Sequence, residues 1–243
     1  MQVVVGTPIV GEPVVISNAN AAVSPPQKRP PLERRSTTMA VLGERGWPPG
    51  LTAAIADSNE QFPVRFVIVD NSGSMQSHDG ARLVKKPDGT LKSVRCTRWS
   101  ELGDVVLDMS EVAMKIGSPT HFHLLNRCQH GQFFTVADAP GESCITAAGG
   151  AATLDQIKAV MSTSPTGTTP LTEAVQQVIR QIAPAADKLN AHGQKAVVVL
   201  ATDGLPNDAN SFLRALQELQ RLPAWLVVRY DARFELHPTP TAA

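Results

Sequence analysis

The chain has 243 residues, 42% of them hydrophobic, and is therefore long enough to bury one sizeable core. Its 22 basic and 22 acidic residues cancel, so no overall charge favours nucleic acid or an anionic membrane. No apolar stretch reaches the roughly 18 residues that a membrane-spanning helix needs. The three cysteines (Cys96, Cys128 and Cys144) are too few and scattered for a disulfide scaffold, and the N-terminus does not resemble a secretory signal. We therefore expect a reducing, cytoplasmic location.

Residues 1–45 differ in composition from the rest of the chain. They contain six prolines and no aromatic residue, a composition that predicts a disordered or extended arm. The basic stretch "PPQKRPPLERR" (25–35) lacks the P-x-x-P spacing of proline-rich docking peptides, so we interpret it as a solvated linker. Residues 46–243 are predicted to form one globular domain.

Strand and helix patterns alternate through this domain. A short helix is predicted within 48–62, and the β-branched run Val64–Val69 is typical of a buried strand. Apolar residues spaced three and four apart predict a helix over 99–116. Further strands are predicted at 120–125, 132–137, 195–201 and 225–228, and further helices where apolar residues recur between 154 and 161, 171 and 182, and 212 and 219. This alternation predicts a doubly wound, mostly parallel α/β sheet with helices on both faces.

Oxygen-bearing side chains cluster where predicted strands end and helices begin. "DNSGS" (70–74) follows the first strand, "TDG" (202–204) follows the strand at 195–201, and "TGTTPL" (166–171) opens a helix whose predicted cap is Thr169. In such folds ligands bind beyond the carboxyl ends of the strands. None of the three segments contains Cys or His, so the donor set suits Mg²⁺ or Mn²⁺ better than Zn²⁺. The candidate ligands are Asp70, Ser72, Ser74, Thr169 and Asp203.

In their order and spacing, the three segments resemble the von Willebrand factor type A (vWA) domain family and its metal-ion-dependent adhesion site, MIDAS. The resemblance covers about residues 62–231. It implies that Asp70, Ser72, Ser74, Thr169 and Asp203 surround a Mg²⁺ and that the metal captures an Asp or Glu of a partner protein. Each segment alone would be an ordinary turn, and only their combination makes the signal specific.

The chain departs from the family pattern in two places. Residues 75–98 intervene between the first motif and the first long helix, and "KKPDGTLKS" within them predicts a hairpin with its turn at Pro87, Asp88 and Gly89. The chain also ends soon after the segment at 224–231, which predicts a sheet shortened at one edge.

Other functions have weaker support in the sequence. His121, His123, Cys128 and His130, with Cys144, make a zinc site conceivable, but we favour core and turn roles for them. No nucleotide-binding loop is present, so an assembly subunit that works with a separate ATPase is the alternative function. A metal-assisted hydrolase that uses His78 or Asp79 is less favoured, and we expect no enzymatic activity. Neither nucleic-acid binding nor a membrane span is expected.

Overall fold

The computed structural model describes residues 2–6, 14–17, 32–137 and 151–230. The strands are β1 (Gln2–Gly6), β2 (Val14–Ser17), β3 (Arg65–Val69), β4 (Gly80–Lys85), β5 (Leu91–Cys96), β6 (Thr120–Cys128), β7 (Gly131–Val136), β8 (Ala196–Thr202) and β9 (Ala224–Tyr230). The α-helices are α1 (Leu32–Glu44), α2 (Pro49–Gln61), α3 (Arg98–Ile116), α4 (Leu154–Met161), α5 (Leu171–Ile182), α6 (Ala186–Ala191) and α7 (Ala209–Leu219). The predicted elements of the globular part are therefore all present.

Seven of these strands form one sheet in the order β2-β1-β9-β8-β3-β6-β7. The five inner strands run parallel, while β2 and β7 pair antiparallel at the two edges. Strand β3 lies between β8 and β6. It is the point in the sheet from which later strands are added on either side. The fold is thus a doubly wound, mostly parallel α/β sheet, as the sequence predicts.

Alternating residues of β3 enter two separate cores on opposite faces of the sheet. Phe66 and Ile68 pack with the apolar faces of α5, α6 and α7. Val67 and Val69 pack with α3, α4 and Phe122 of β6. Because β3 is buried on both faces, its sequence is continuously apolar rather than alternating.

The N-terminal residues are more ordered than their composition predicts. Strand β1 pairs in parallel with β9, and helix α1 packs against α2 and α3. Leu42 of α1 is fully buried, with 0% of its surface exposed. Within the predicted arm, residues 2–6, 14–17 and 32–44 form β1, β2 and α1, and both β1 and α1 have partners far along the chain, β9 and α3, as well as neighbouring ones. The linker at 25–31 and the segment after 230 lie outside the described residues.

The sequence predicts a sheet that is shortened at the edge formed by the last strand, β9. In the structure, β1 from the start of the chain pairs with β9 on that side of the sheet. Within the insertion at residues 75–98, β4 and β5 form the predicted hairpin, which is a separate two-stranded sheet. Its turn is closed by hydrogen bonds from Lys86 N to Thr90 O and from Gly89 N to Lys86 O. In the part of the chain that the structure describes, no helix is long and apolar enough to cross a membrane.

Candidate metal site

Asp70 lies directly after β3, at its carboxyl end, and is fully buried. Its Oδ1 accepts a hydrogen bond from Ser72 N at 2.8 Å, and its Oδ2 accepts one from Thr202 Oγ1 at 2.6 Å. Burial raises the pKa of the Asp70 carboxyl, and the hydrogen bonds from Thr202 and Ser72 partly oppose that rise. The carboxylate thus joins the ends of β3 and β8 at one edge of the sheet.

The two serines connect Asp70 to the second acid. Ser72 Oγ lies 3.0 Å from Ser74 Oγ, and Ser74 Oγ donates to Asp203 Oδ1 at 2.8 Å. Asp203 itself is buried at the end of β8. Ser72, Ser74 and Asp203 therefore form one chain of hydrogen-bonded oxygens, and the backbone N–H of Ser72 links this chain to Asp70.

Thr169 belongs to the third loop, which backbone contacts hold against the first two. Gly73 N donates to Gly167 O at 3.2 Å, and Thr166 N donates to Asn71 O at 2.8 Å. A Cβ added to Gly204 would lie 3.3 Å from Thr169 Oγ1, so this hydroxyl is adjacent to the segment that carries Asp203. The structure places all five predicted residues at the same edge.

The helix cap is one residue later than the sequence predicts. Helix α5 begins at Leu171 and its cap residue is Pro170, with no side-chain cap hydrogen bond. Thr169 instead accepts the Leu171 N–H through its backbone oxygen, at 2.8 Å. Its hydroxyl is therefore not used for capping, which leaves it available as a ligand.

Two asparagines that the sequence analysis missed fasten the loops together. Asn71 Nδ2 donates to Asn126 O at 2.8 Å, and Asn126 N donates to Asn71 Oδ1 at 2.7 Å. Asn126 Nδ2 also donates to Thr168 O at 2.8 Å. Gly167 must be glycine here, because its φ is 95° and an added Cβ would lie 2.5 Å from Asn126 Oδ1. Asn71 was visible inside "DNSGS", but no sequence pattern marks Asn126 as its partner.

The sequence analysis also missed Arg98, at the start of α3. Its Nη1 donates to Asp203 Oδ2 at 2.7 Å, and its Nε and Nη2 donate to the two carboxylate oxygens of Asp79 at 2.8 and 2.5 Å. The Arg98 side chain is only 9% exposed. The hydrogen bonds that Arg98 donates to Asp79 and to Asp203 raise the pKa of this guanidinium, against the opposing effect of burial. A permanent positive charge therefore balances one of the two buried acids.

The donor set fits a hard divalent cation. The two carboxylates and three hydroxyls belong to three loops at one edge of the sheet, and all of them are oxygen donors of the kind that Mg²⁺ and Mn²⁺ prefer. Asp70 receives its hydrogen bonds from neutral groups, so a cation would offset its buried charge. The described residues hold no group of three or more His, Cys, Asp or Glu, and such a group is not what this site requires.

Two residues of the conceivable zinc site, His121 and Cys128, make contacts of other kinds. The ring of His121 stacks on Phe66 and its Nδ1 lies 3.1 Å from Thr135 Oγ1. Cys128 Sγ lies 3.1 Å from Gly131 O, in the turn between β6 and β7. These contacts agree with core and turn roles. Cys144 lies outside the described residues.

Comparison with solved structures finds chains that are similar to this one. The chain is similar to a crystal structure of manganese-loaded TRAP protein from Plasmodium vivax, with 17% sequence identity and a TM-score of 0.45. The match covers 73% of this chain and 60% of that one, so the chain spans less than two thirds of the neighbour's length. No protein-family model and no curated protein sequence matches the chain.

Proposed function

We propose that this chain is a metal-dependent protein-binding module of the vWA type. The observation that carries the proposal is the hydrogen-bonded network that links Asp70, through the Ser72 N–H and the hydroxyls of Ser72 and Ser74, to Asp203. With Thr169, these residues would hold a Mg²⁺ or Mn²⁺. When bound, the metal would supply an electrophilic centre for a carboxylate oxygen of a partner's Asp or Glu.

The surface around the site suits such a partner. The two acids are buried, whereas Gly73 and Ser74 are exposed, so the site is approached from the side of the hydroxyls. Leu205, two residues after Asp203, has 78% of its surface exposed. An apolar side chain next to a charged site would add contact area for a protein rather than for a small ion.

We propose that this chain has no enzymatic activity and that a metal-assisted hydrolase is the less favoured alternative. The nearest acid on the insertion, Asp79, is held by two hydrogen bonds from Arg98 and is therefore poorly suited to act as a base. We also propose a cytoplasmic location, which is supported by the free thiols of Cys96 and Cys128. The alternative, an assembly subunit of a separate ATPase, would use the same metal site.

The first test is metal-linked stability, measured as thermal unfolding in Mg²⁺, in Mn²⁺ and in EDTA. A ligand at a hundred times its dissociation constant stabilises the folded state by about 2.7 kcal/mol. We expect either metal to raise the midpoint of the wild type but not that of Asp70→Ala. The matched control is Asp187→Ala, which removes an exposed acid of α6 and should respond like the wild type. A wild-type unfolding midpoint that is the same in Mg²⁺, in Mn²⁺ and in EDTA would contradict the proposal.

A further inference from the structure

The hairpin formed by β4 and β5 has a charge that the whole chain lacks. Between residues 80 and 96 there are five basic residues and one acid, a net charge of +4, in a chain of net charge zero. One of the five, Arg82, lies 3.8 Å from Asp104 of α3. The other four side chains are exposed, at Lys85, Lys86, Lys92 and Arg95. The hairpin is therefore a positively charged projection.

Two leucines lie among these charges. Leu83 and Leu91 are 68% and 64% exposed. Leu83 pairs with Ser93, and Lys85 pairs with Leu91, so the two leucines are diagonal neighbours on one face of the hairpin. Side chains at alternate positions share a face, which puts Lys85 and Arg95 on the same side. This face complements a chain that contains both acidic and apolar residues.

The hairpin also has free strand edges. It pairs with no third strand among the described residues. At the base of the hairpin, Glu101 Oε2 accepts a hydrogen bond from Ala81 N of β4 at 2.9 Å. A carboxylate therefore already binds to the backbone of this strand. Extended peptides add to such edges through backbone hydrogen bonds. Basic side chains hinder pairing between two copies of the hairpin, but they attract an acidic strand.

The foot of the hairpin is fixed to the candidate metal site. Arg98 N donates to Ser77 O at 3.0 Å, and the Arg98 side chain joins Asp79 to Asp203. Gly80 allows the two strands to meet there, because an added Cβ would lie 2.8 Å from Thr97 O. The hairpin thus starts beside the metal ligands, within reach of the same partner.

We propose that the β4–β5 hairpin is a second docking surface, which binds an extended, acidic and apolar segment of the partner protein whose carboxylate reaches the metal. This rests on the proposed function for the metal contact only. Residues 80–96 contain no aromatic side chain on which nucleic-acid bases could stack. Exposed leucines between the charges favour a protein segment over a phosphate backbone.

The test uses fluorescence anisotropy with a labelled peptide pool in which Asp or Glu alternates with Leu, Val or Ile. Peptides of about twelve residues, extended at about 3.3 Å per residue, would span the hairpin and the metal edge. A second pool has Asn and Gln in place of the acids. Single-stranded DNA and vesicles containing phosphatidylserine are the competing probes. Binding is measured in Mg²⁺ and in EDTA.

Four proteins are compared with the wild type. The hairpin variant carries Lys85→Gln, Lys86→Gln, Lys92→Gln and Arg95→Gln. A second variant carries Leu83→Ser with Leu91→Ser. The matched control changes four other exposed basic residues and carries Arg180→Gln, Lys188→Gln, Lys195→Gln and Arg221→Gln. Asp70→Ala removes the metal contact. Thermal unfolding establishes that each variant is folded.

We expect the acidic pool to bind the wild type and the control equally. It should bind the hairpin variant about tenfold more weakly, because four exposed ion pairs that each contribute about twofold in affinity are lost. The leucine variant should also bind more weakly. Asp70→Ala should lose the Mg²⁺-dependent part of the affinity and keep the part that depends on the hairpin.

The outcomes separate the two proposals. Equal binding by the hairpin variant and the wild type overturns the docking surface but leaves the metal site standing. Binding that depends on the hairpin but not on Mg²⁺ or Asp70 supports the docking surface and contradicts the metal-dependent function. No binding of the acidic pool to the wild type, or tighter hairpin-dependent binding of DNA, vesicles or the neutral pool, also overturns the inference.

Discussion

At the scale of single residues, Arg98 has two effects on the candidate metal site. It neutralises Asp203 through a 2.7 Å hydrogen bond, and its own charge opposes a divalent cation nearby. Removing one member of a buried ion pair usually costs about 3 kcal/mol, because the remaining charge is left without its partner. Arg98 therefore stabilises the fold when no metal is bound, and it would weaken the attraction of the proposed site for a metal.

We predict that Arg98→Gln lowers the unfolding midpoint in EDTA and enlarges its rise in Mg²⁺. The variant leaves Asp203 without its guanidinium, so a bound cation would restore the balance of charge. Arg95→Gln, which removes an exposed guanidinium of β5, is the matched control and should show the wild-type rise. A smaller rise for Arg98→Gln would instead show that Arg98 positions Asp203 for the metal.

At the scale of elements, α1 shows that a helix can contribute to a core although its segment is predicted to be part of a disordered or extended arm. Leu42 is fully buried where α1 packs on α2 and α3, and Arg45, just after the helix, contacts Asp108 and Glu111 of α3 at 2.5 and 2.9 Å. These ion pairs are partly exposed and contribute little energy. Burial of Leu42 is the stronger reason for α1 to stay in place.

We predict that Leu42→Ala destabilises the protein by about 3 kcal/mol, the usual cost of a Leu to Ala change in a core. Leu51→Ala on α2 is the matched control, since Leu51 is 48% exposed and should lose less than about 1 kcal/mol. Urea unfolding followed by circular dichroism measures both changes. Equal, small losses would mean that α1 contributes nothing to the stability of the domain.

At the scale of the whole molecule, His123 makes stability depend on pH. It lies in the middle of β6, and its ring contacts Phe66 and Phe133. Burial, and then the charge of His121, lowers the pKa of His123 to about 4. The unfolded chain would therefore bind a proton at this position between about pH 6.5 and pH 4, while the folded protein would not.

We predict that stability falls as the pH is lowered through this window, and that His123 accounts for about 3 kcal/mol of the fall. His123→Leu should unfold with a shallower pH dependence between pH 7 and pH 4.5. His192→Gln, at an exposed position after α6, should keep the wild-type slope. If the Leu variant shows the same slope as the wild type, the titrating group lies elsewhere.

The sequence by itself determined the features that depend on neighbouring residues. Apolar periodicity predicted α3 and β3, turn residues predicted the hairpin, and the spacing of Asp70, Ser72 and Ser74 marked a loop rich in oxygen donors. Each of these signals lies within one short segment, where backbone geometry fixes which side chains share a face.

Only the tertiary structure decided the features that join distant segments. The Arg98–Asp203 pair spans 105 positions, and Asn71 and Asn126 are 55 positions apart. Strand β1 pairs with β9 across almost the whole chain. Local pattern carries no information about such contacts, because which distant groups meet depends on how the elements are ordered in the sheet and packed on its two faces.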